Sequence, residues 1–115
     1  MVTTDNFLTV HVLDTVTGRP AAGMHLSLRR DGVTEPLTQR VTNNDGRCNT
    51  PLLSGAAMVA GIYEIAFDVA AWRADAEDPG FYDCITIRFR VPDRPGHLHI
   101  PLLLAPYGYS TYRGS

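Results

Sequence analysis

Almost the whole chain alternates apolar and polar residues with period two, which directs it to β-sheets with one buried face. In 7–14 (FLTVHVLD) this sets Leu8, Val10 and Val12 against Thr9, His11 and Leu13. The pattern returns in 24–30, 37–42, 61–69, 84–91, 97–104 and 107–112. It is clearest in 84–91, where Ile85, Ile87, Phe89 and Val91 oppose Thr86, Arg88 and Arg90. Turn clusters separate the runs: Thr17-Gly18-Arg19-Pro20, Asp31-Gly32, Asn43-Asn44-Asp45-Gly46, Pro79-Gly80 and Pro92 to Gly96. Seven or eight short strands at this spacing predict a two-sheet β-sandwich. One segment departs from period two. Asp68 can cap a helix of about two turns through AAWRADAE, with Val69, Trp72 and Ala76 at helical spacing and Pro79-Gly80 closing it. Pro101 predicts an edge position or a bulge in the 97–104 strand. Strand edges left open in this way favour pairing between subunits.

A chain of 115 residues holds a single domain, 1–115, with a core that needs neither disulfides nor a structural metal. Ten basic residues against 12 acidic give a formal net charge of -2, which offers no broad positive field for nucleic acid or an anionic membrane. All the basic residues are arginines, so Schiff-base and P-loop lysine chemistry is excluded. No apolar run reaches membrane-spanning length, and the N-terminus lacks the pattern of a secretory signal. A soluble, cytoplasmic protein with Cys48 and Cys84 reduced is the expectation.

Chemistry is left to arginine, histidine and carboxylates. His97 and His99 leave the same face of one strand. That spacing suits a structural hydrogen-bonding pair, two zinc ligands completed by His11, His25 or a carboxylate, or acid–base work near pH 7. Spacing alone does not choose among the three. His11 lies on a mixed face with Phe7 and Leu13, as in a cleft or a subunit interface. Arg47, just after the Asn-Asn-Asp-Gly turn, is either a solvated charge or a planar bidentate donor for an anionic or carbonyl-rich ligand. Cys48 reads as a small half-buried thiol rather than a nucleophile. Asp14 and Asp45 read as turn and capping groups. The end, YGYSTYRGS, holds three of the five tyrosines, which points to docking against protein rather than to a disordered tail.

Several segments together resemble the transthyretin-like family, and within it the branch of 5-hydroxyisourate hydrolases. They are LTVHVLDTVTGRPAAG (8–23), TNNDGRC (42–48), FDVAAWRA and PGFY in the middle, and HLHIPLLLAPYGYSTYRGS (97–115). The resemblance covers nearly the whole chain, and Tyr112-Arg113-Gly114-Ser115 is its most specific element, because the hormone-carrier branch lacks it. It implies an all-β, eight-stranded, two-sheet sandwich with one short helix, assembled as a homotetramer (a dimer of dimers) with active sites in the cleft between dimers. It also implies His11, Arg47 and His99 as catalytic groups, and Ser110, Tyr112, Arg113, Gly114 and Ser115 as substrate-binding groups. No metal and no cofactor are implied, and no role passes to His97. The activity implied is hydrolysis of a cyclic amide in 5-hydroxyisourate, the unstable first product of urate oxidation. A small-ligand carrier using the same cleft is the alternative, although that branch has a lysine where His11 stands.

Overall fold

The structure, a computed structural model, describes residues 5–114. Strand β1 (Phe7–Asp14) is followed by the two-residue β2 (Arg19–Pro20), β3 (His25–Arg30), β4 (Thr38–Val41) and the two-residue β5 (Leu53–Ser54). A short 3-10 turn (Gly55–Ala57) then leads to β6 (Gly61–Asp68), helix α1 (Val69–Trp72), β7 (Cys84–Val91), β8 (His97–Ala105) and β9 (Gly108–Thr111). One sheet runs β2-β1-β8-β9 with β5 also on β1, and the other runs β4-β3-β6-β7. The all-β sandwich with one short helix is as the alternation predicts. Among the described residues the strand count is nine rather than eight, because β2 and β5 are brief pairings inside segments that read as turns and loop.

The inward rows of the alternation make one core between the sheets. Leu8, Val10 and Val12 of β1 meet Leu26 and Leu28 of β3, Tyr63, Ile65 and Phe67 of β6, and Leu102 and Leu104 of β8. Tyr63 is buried with its hydroxyl satisfied: it donates to the Val59 carbonyl at 2.5 Å and accepts from Arg30 Nη2 at 3.0 Å. Arg88 and Arg90 point to solvent from β7, and Arg88 pairs there with Asp31 and Glu64.

Two expectations are corrected. The helix has one turn, not two. Asp68 does cap it, accepting from the Ala71 amide at 3.3 Å. After the Arg73 amide bonds Val69 O, however, the chain tightens to three-residue turns (Ala74 to Ala71, Ala76 to Arg73), and Ala76 is exposed. Asp75, Glu77 and Asp78 would stand at the negative end of a longer helix. Arg73 also turns inward to Asp14, with Nη2 3.7 Å from Oδ1 and both side chains nearly fully buried.

Pro101, in turn, lies inside an interior strand and is buried, since β8 sits between β1 and β9. The β8–β9 ladder runs from Ala105–Gly108 to Leu102–Thr111, then resumes as a single bridge at His99–Gly114. Pro101 falls in the interruption, where its missing N–H breaks no pair. Its carbonyl is satisfied by Thr111 Oγ1 at 2.8 Å.

Candidate active site

The outer face of the β1–β8 pair gathers the ionisable groups. These strands run parallel, with Phe7 beside His97, Thr9 beside His99, and His11 beside Pro101. Residues that are remote in sequence thereby form rows on one surface, with Leu13 and Leu103 in the last row and Ser110 next to Leu103 on β9. The Thr9 hydroxyl lies 2.7 Å from His97 Nε2 and 2.7 Å from His99 Nδ1, so it bridges the two rings. Phe7 packs on the His97 ring, with centroids 4.4 Å apart.

Arg47 reaches this face through a turn built for the purpose. Asn43 Oδ1 accepts from the Asp45 amide (2.9 Å) and the Arg47 amide (3.1 Å), which closes the loop on itself. Gly46 then docks on β1, its carbonyl accepting from the Val12 amide at 2.8 Å. Its φ is +72°, and a Cβ there would stand 2.3 Å from Val12 O, so only glycine fits. The turn thus carries Arg47 to the strand that bears His11. A small cavity of about 140 Å³ opens beside Arg47, Thr9 and His97, with Cys48 half-buried in its wall.

Electrostatics follow from this crowding. Partial burial lowers the His99 pKa from the usual 6.5, and the charges of Arg47, His97 and His11 lower it further. Partial burial and Arg47 also lower His11, against an opposing push from the Asp45 backbone and carboxylate. Both rings are therefore neutral at pH 7 and able to accept a proton. Burial raises the Cys48 thiol, which is the wrong direction for a nucleophile.

The C-terminal segment closes over His99. The Gly114 amide donates to His99 O at 2.7 Å, and a Cβ on Gly114 would lie 2.8 Å from His99 Cδ2. Tyr112 and Arg113 are exposed and line an apolar trough of about 490 Å³ with Ile87, Phe89, Leu98 and Ile100. Tyr107, Tyr109 and Tyr112 are all exposed within the chain. Ser115 lies outside the described residues. His25 is on β3 in the opposite sheet and joins none of these groups. Among the described residues, no three histidine, cysteine or carboxylate side chains are grouped to hold a metal. The alternation did not reveal the Thr9 bridge, the Gly46 dock or the Asp14–Arg73 pair. Only the Asn-Asn-Asp-Gly turn signal pointed toward one of them.

Fold and face together define a small transthyretin-type sandwich whose outer sheet surface carries neutral imidazoles beside a guanidinium. Residues 8–114 match the HIUase/Transthyretin family, and the chain belongs to that family. It is 49% identical over 113 residues to a 5-hydroxyisourate hydrolase of Deinococcus radiodurans, covering 94% of this chain and 95% of that protein. The solved structure of Klebsiella pneumoniae 5-hydroxyisourate hydrolase superposes with a TM-score of 0.82 at 40% identity, covering 96% of this chain and 94% of that one. Transthyretin from Sparus aurata also gives a TM-score of 0.82, at 29% identity over 93% of this chain and 95% of its own. Because the same sandwich occurs under both names, the fold does not choose the chemistry. The residues on the face do.

Proposed function

We propose that this chain hydrolyses 5-hydroxyisourate, the compound named in its Deinococcus and Klebsiella relatives, by attack of water on a cyclic amide. The observation that carries the reading is the pair His11 and His99, lowered in pKa beside Arg47 on adjacent strands. Amide hydrolysis needs a base for the water, a positive group for the tetrahedral oxyanion, and a proton for the departing nitrogen. His99 takes the water's proton, with His11 beside it. Arg47 holds the oxygen-rich substrate and stabilises the oxyanion, a contribution of about 3 kcal/mol for one well-placed donor. The proton gained from water goes on to the ring nitrogen as the carbon–nitrogen bond breaks, leaving a carboxylic acid that releases water's second proton to solvent and becomes a carboxylate. That product is 2-oxo-4-hydroxy-4-carboxy-5-ureidoimidazoline. No covalent nucleophile, metal or cofactor enters the sequence of steps. Ser110 and the Tyr112–Ser115 segment orient the substrate.

A carrier would use the same face without chemistry. It would gain nothing from imidazoles held neutral against a guanidinium, which favours the hydrolase. The reading includes a homotetramer, a dimer of dimers with the histidine faces opposed across a cleft. Two surfaces of the chain support it: the half-buried Leu13 and Leu103 beside the histidines, and the apolar trough between β7 and the C-terminal segment. The reading places the protein in the cytoplasm, where Cys48 and Cys84 stay reduced, in the degradation of urate. No helix of the described residues is long and apolar enough to cross a membrane.

The test generates 5-hydroxyisourate from urate with urate oxidase and follows its ultraviolet decay. Added protein accelerates the decay and yields the ring-opened carboxylate. Decay at the spontaneous rate would overturn the assignment.

A further inference from the structure

The Thr9 hydroxyl has one proton and stands at 2.7 Å from a nitrogen of each of two rings. It can donate to only one of them, so it must accept from the other. This couples the rings. If Thr9 donates to His97 Nε2, then His97 carries its proton on Nδ1, and His99 donates Nδ1–H to Thr9. His99 Nε2 is then a lone pair, on the far side of the ring from Thr9. If Thr9 instead donates to His99 Nδ1, both rings carry their proton on Nε2. The two rings therefore always share the same tautomer, and they change it together.

We propose that Thr9 and His97 are positioning residues for the reaction, forming a relay that moves a proton between His99 Nδ1 and His97 Nε2 without displacing any heavy atom. The inference rests on the hydrolase reading. Before attack, both rings are protonated on Nδ1. Water gives its proton to His99 Nε2 as its oxygen bonds to the substrate carbon. The His99 Nδ1 proton passes to the Thr9 oxygen, and the Thr9 proton passes to His97 Nε2. His99 is then neutral with a proton on Nε2, and the positive charge rests on His97. When the carbon–nitrogen bond breaks, His99 Nε2 gives its proton to the leaving nitrogen. The relay runs back and restores the starting tautomers. Overall, one proton travels from water to the departing nitrogen, and no other reactant is consumed.

The placement of the two rings explains the benefit. His99 is half-buried, with Arg47 and His11 facing it from the neighbouring turn and β1, and with Gly114 over its Cδ2 edge; Asp45 of that turn acts on His11. A positive charge there is poorly solvated and lies near a guanidinium. His97 is exposed, so water solvates its cation. Its ring is steadied by Phe7. The relay thus lets a half-buried base work without keeping the charge it collects.

Thr9→Val keeps the branched shape and removes the hydroxyl, whereas Thr9→Ser keeps the hydroxyl. The expected result for Thr9→Val is a kcat lowered about tenfold or more with KM within about threefold, since one proton-transfer partner is lost. Thr9→Ser recovers at least about half of the wild-type kcat. His97→Ala shows a similar kcat loss that added imidazole partly restores, and it serves if Thr9→Val does not fold. Independently of activity, 15N spectra of the wild-type histidines show His97 and His99 protonated on the same-named nitrogen, and Thr9→Val removes that match. Wild-type kcat in Thr9→Val, equal losses in the Val and Ser variants, no rescue of His97→Ala, or opposite tautomers would each overturn the relay. A wild-type protein that leaves 5-hydroxyisourate untouched would overturn the hydrolase reading instead, and the spectra would still decide on the hydrogen-bonded chain.

Discussion

Gly114→Ala adds a single methyl group to the segment that lies over His99. Its carbon would stand 2.8 Å from His99 Cδ2 and 3.4 Å from Cβ and Cγ. Carbon atoms normally rest at about 3.5 Å or more, so the two groups must part by roughly 0.7 Å. The terminal backbone is tied by the 2.7 Å bond from the Gly114 amide to His99 O, and moving it breaks that bond. The imidazole yields instead, which disturbs its 2.7 Å hydrogen bond with the Thr9 hydroxyl at Nδ1. A displacement of about 1 Å at a reacting group costs about a hundredfold in rate, so a shift of this size lowers kcat by roughly ten- to a hundredfold. Alanine adds no backbone strain, because the φ of Gly114 lies outside the left-handed region. Gly114 is buried against β8, so the forced contact should also cost about 1–3 kcal/mol of stability, which leaves the protein folded. Stopped-flow ultraviolet decay gives kcat, and thermal melts give stability. A folded Gly114→Ala protein with wild-type kcat would refute the contact argument.

Arg47→Met should reduce kcat/KM by roughly 10²–10³ through loss of the oxyanion partner. Because Arg47 lowers the pKa of both His11 and His99, its removal raises both, and the acid limb of the pH–rate profile moves up toward 6.5. An unmoved limb would contradict the electrostatic placement. The same lowered values predict how folding responds to pH. The unfolded chain takes up protons at these sites near pH 6.5, before the folded one does, so stability falls as pH drops from there through the folded values. Denaturant melts across that window check the sign. Gly46→Ala places a Cβ against Val12 O at 2.3 Å and forces a left-handed φ on alanine. It should cost about 1–3 kcal/mol of stability and also reduce activity by displacing Arg47. Asp14→Ala leaves the buried Arg73 guanidinium, already without hydrogen-bond partners at Nε and Nη2, with no carboxylate. The expected loss is about 3–5 kcal/mol, read as a lowered Tm with little change in KM.

What the sequence made legible follows from period. The seven longer strands fall where alternation places them, because inward residues at i and i+2 are a local property. The turn before Arg47 was legible for the same reason, since Asn43 and Gly46 act within five residues. The parallel pairing of β1 with β8 was not, because it sets residues about 90 apart in sequence side by side in one sheet. That pairing alone makes Thr9 a partner of His97 and His99. Pro101 misled because a proline is compatible with an interior strand wherever the neighbouring ladder is interrupted, and only the β9 register shows the interruption. The helix misled through Arg73. Helical spacing puts it on the same stripe as Val69, Trp72 and Ala76, and its charge there is met by Asp14 at the end of β1, a partner 59 residues away that no local pattern shows. The carry-over of His11, Arg47 and His99 came from the family resemblance, not from spacing. The structure places those three on one face.

The account rests on His99 as the base that removes the proton from water. The most direct measurement compares single-turnover decay of 5-hydroxyisourate by wild-type protein and by His99→Asn, after melts have shown both to be folded. A rate lowered by about 10²–10⁴ in the variant is the prediction. A folded His99→Asn protein that consumes 5-hydroxyisourate at the wild-type rate would contradict it.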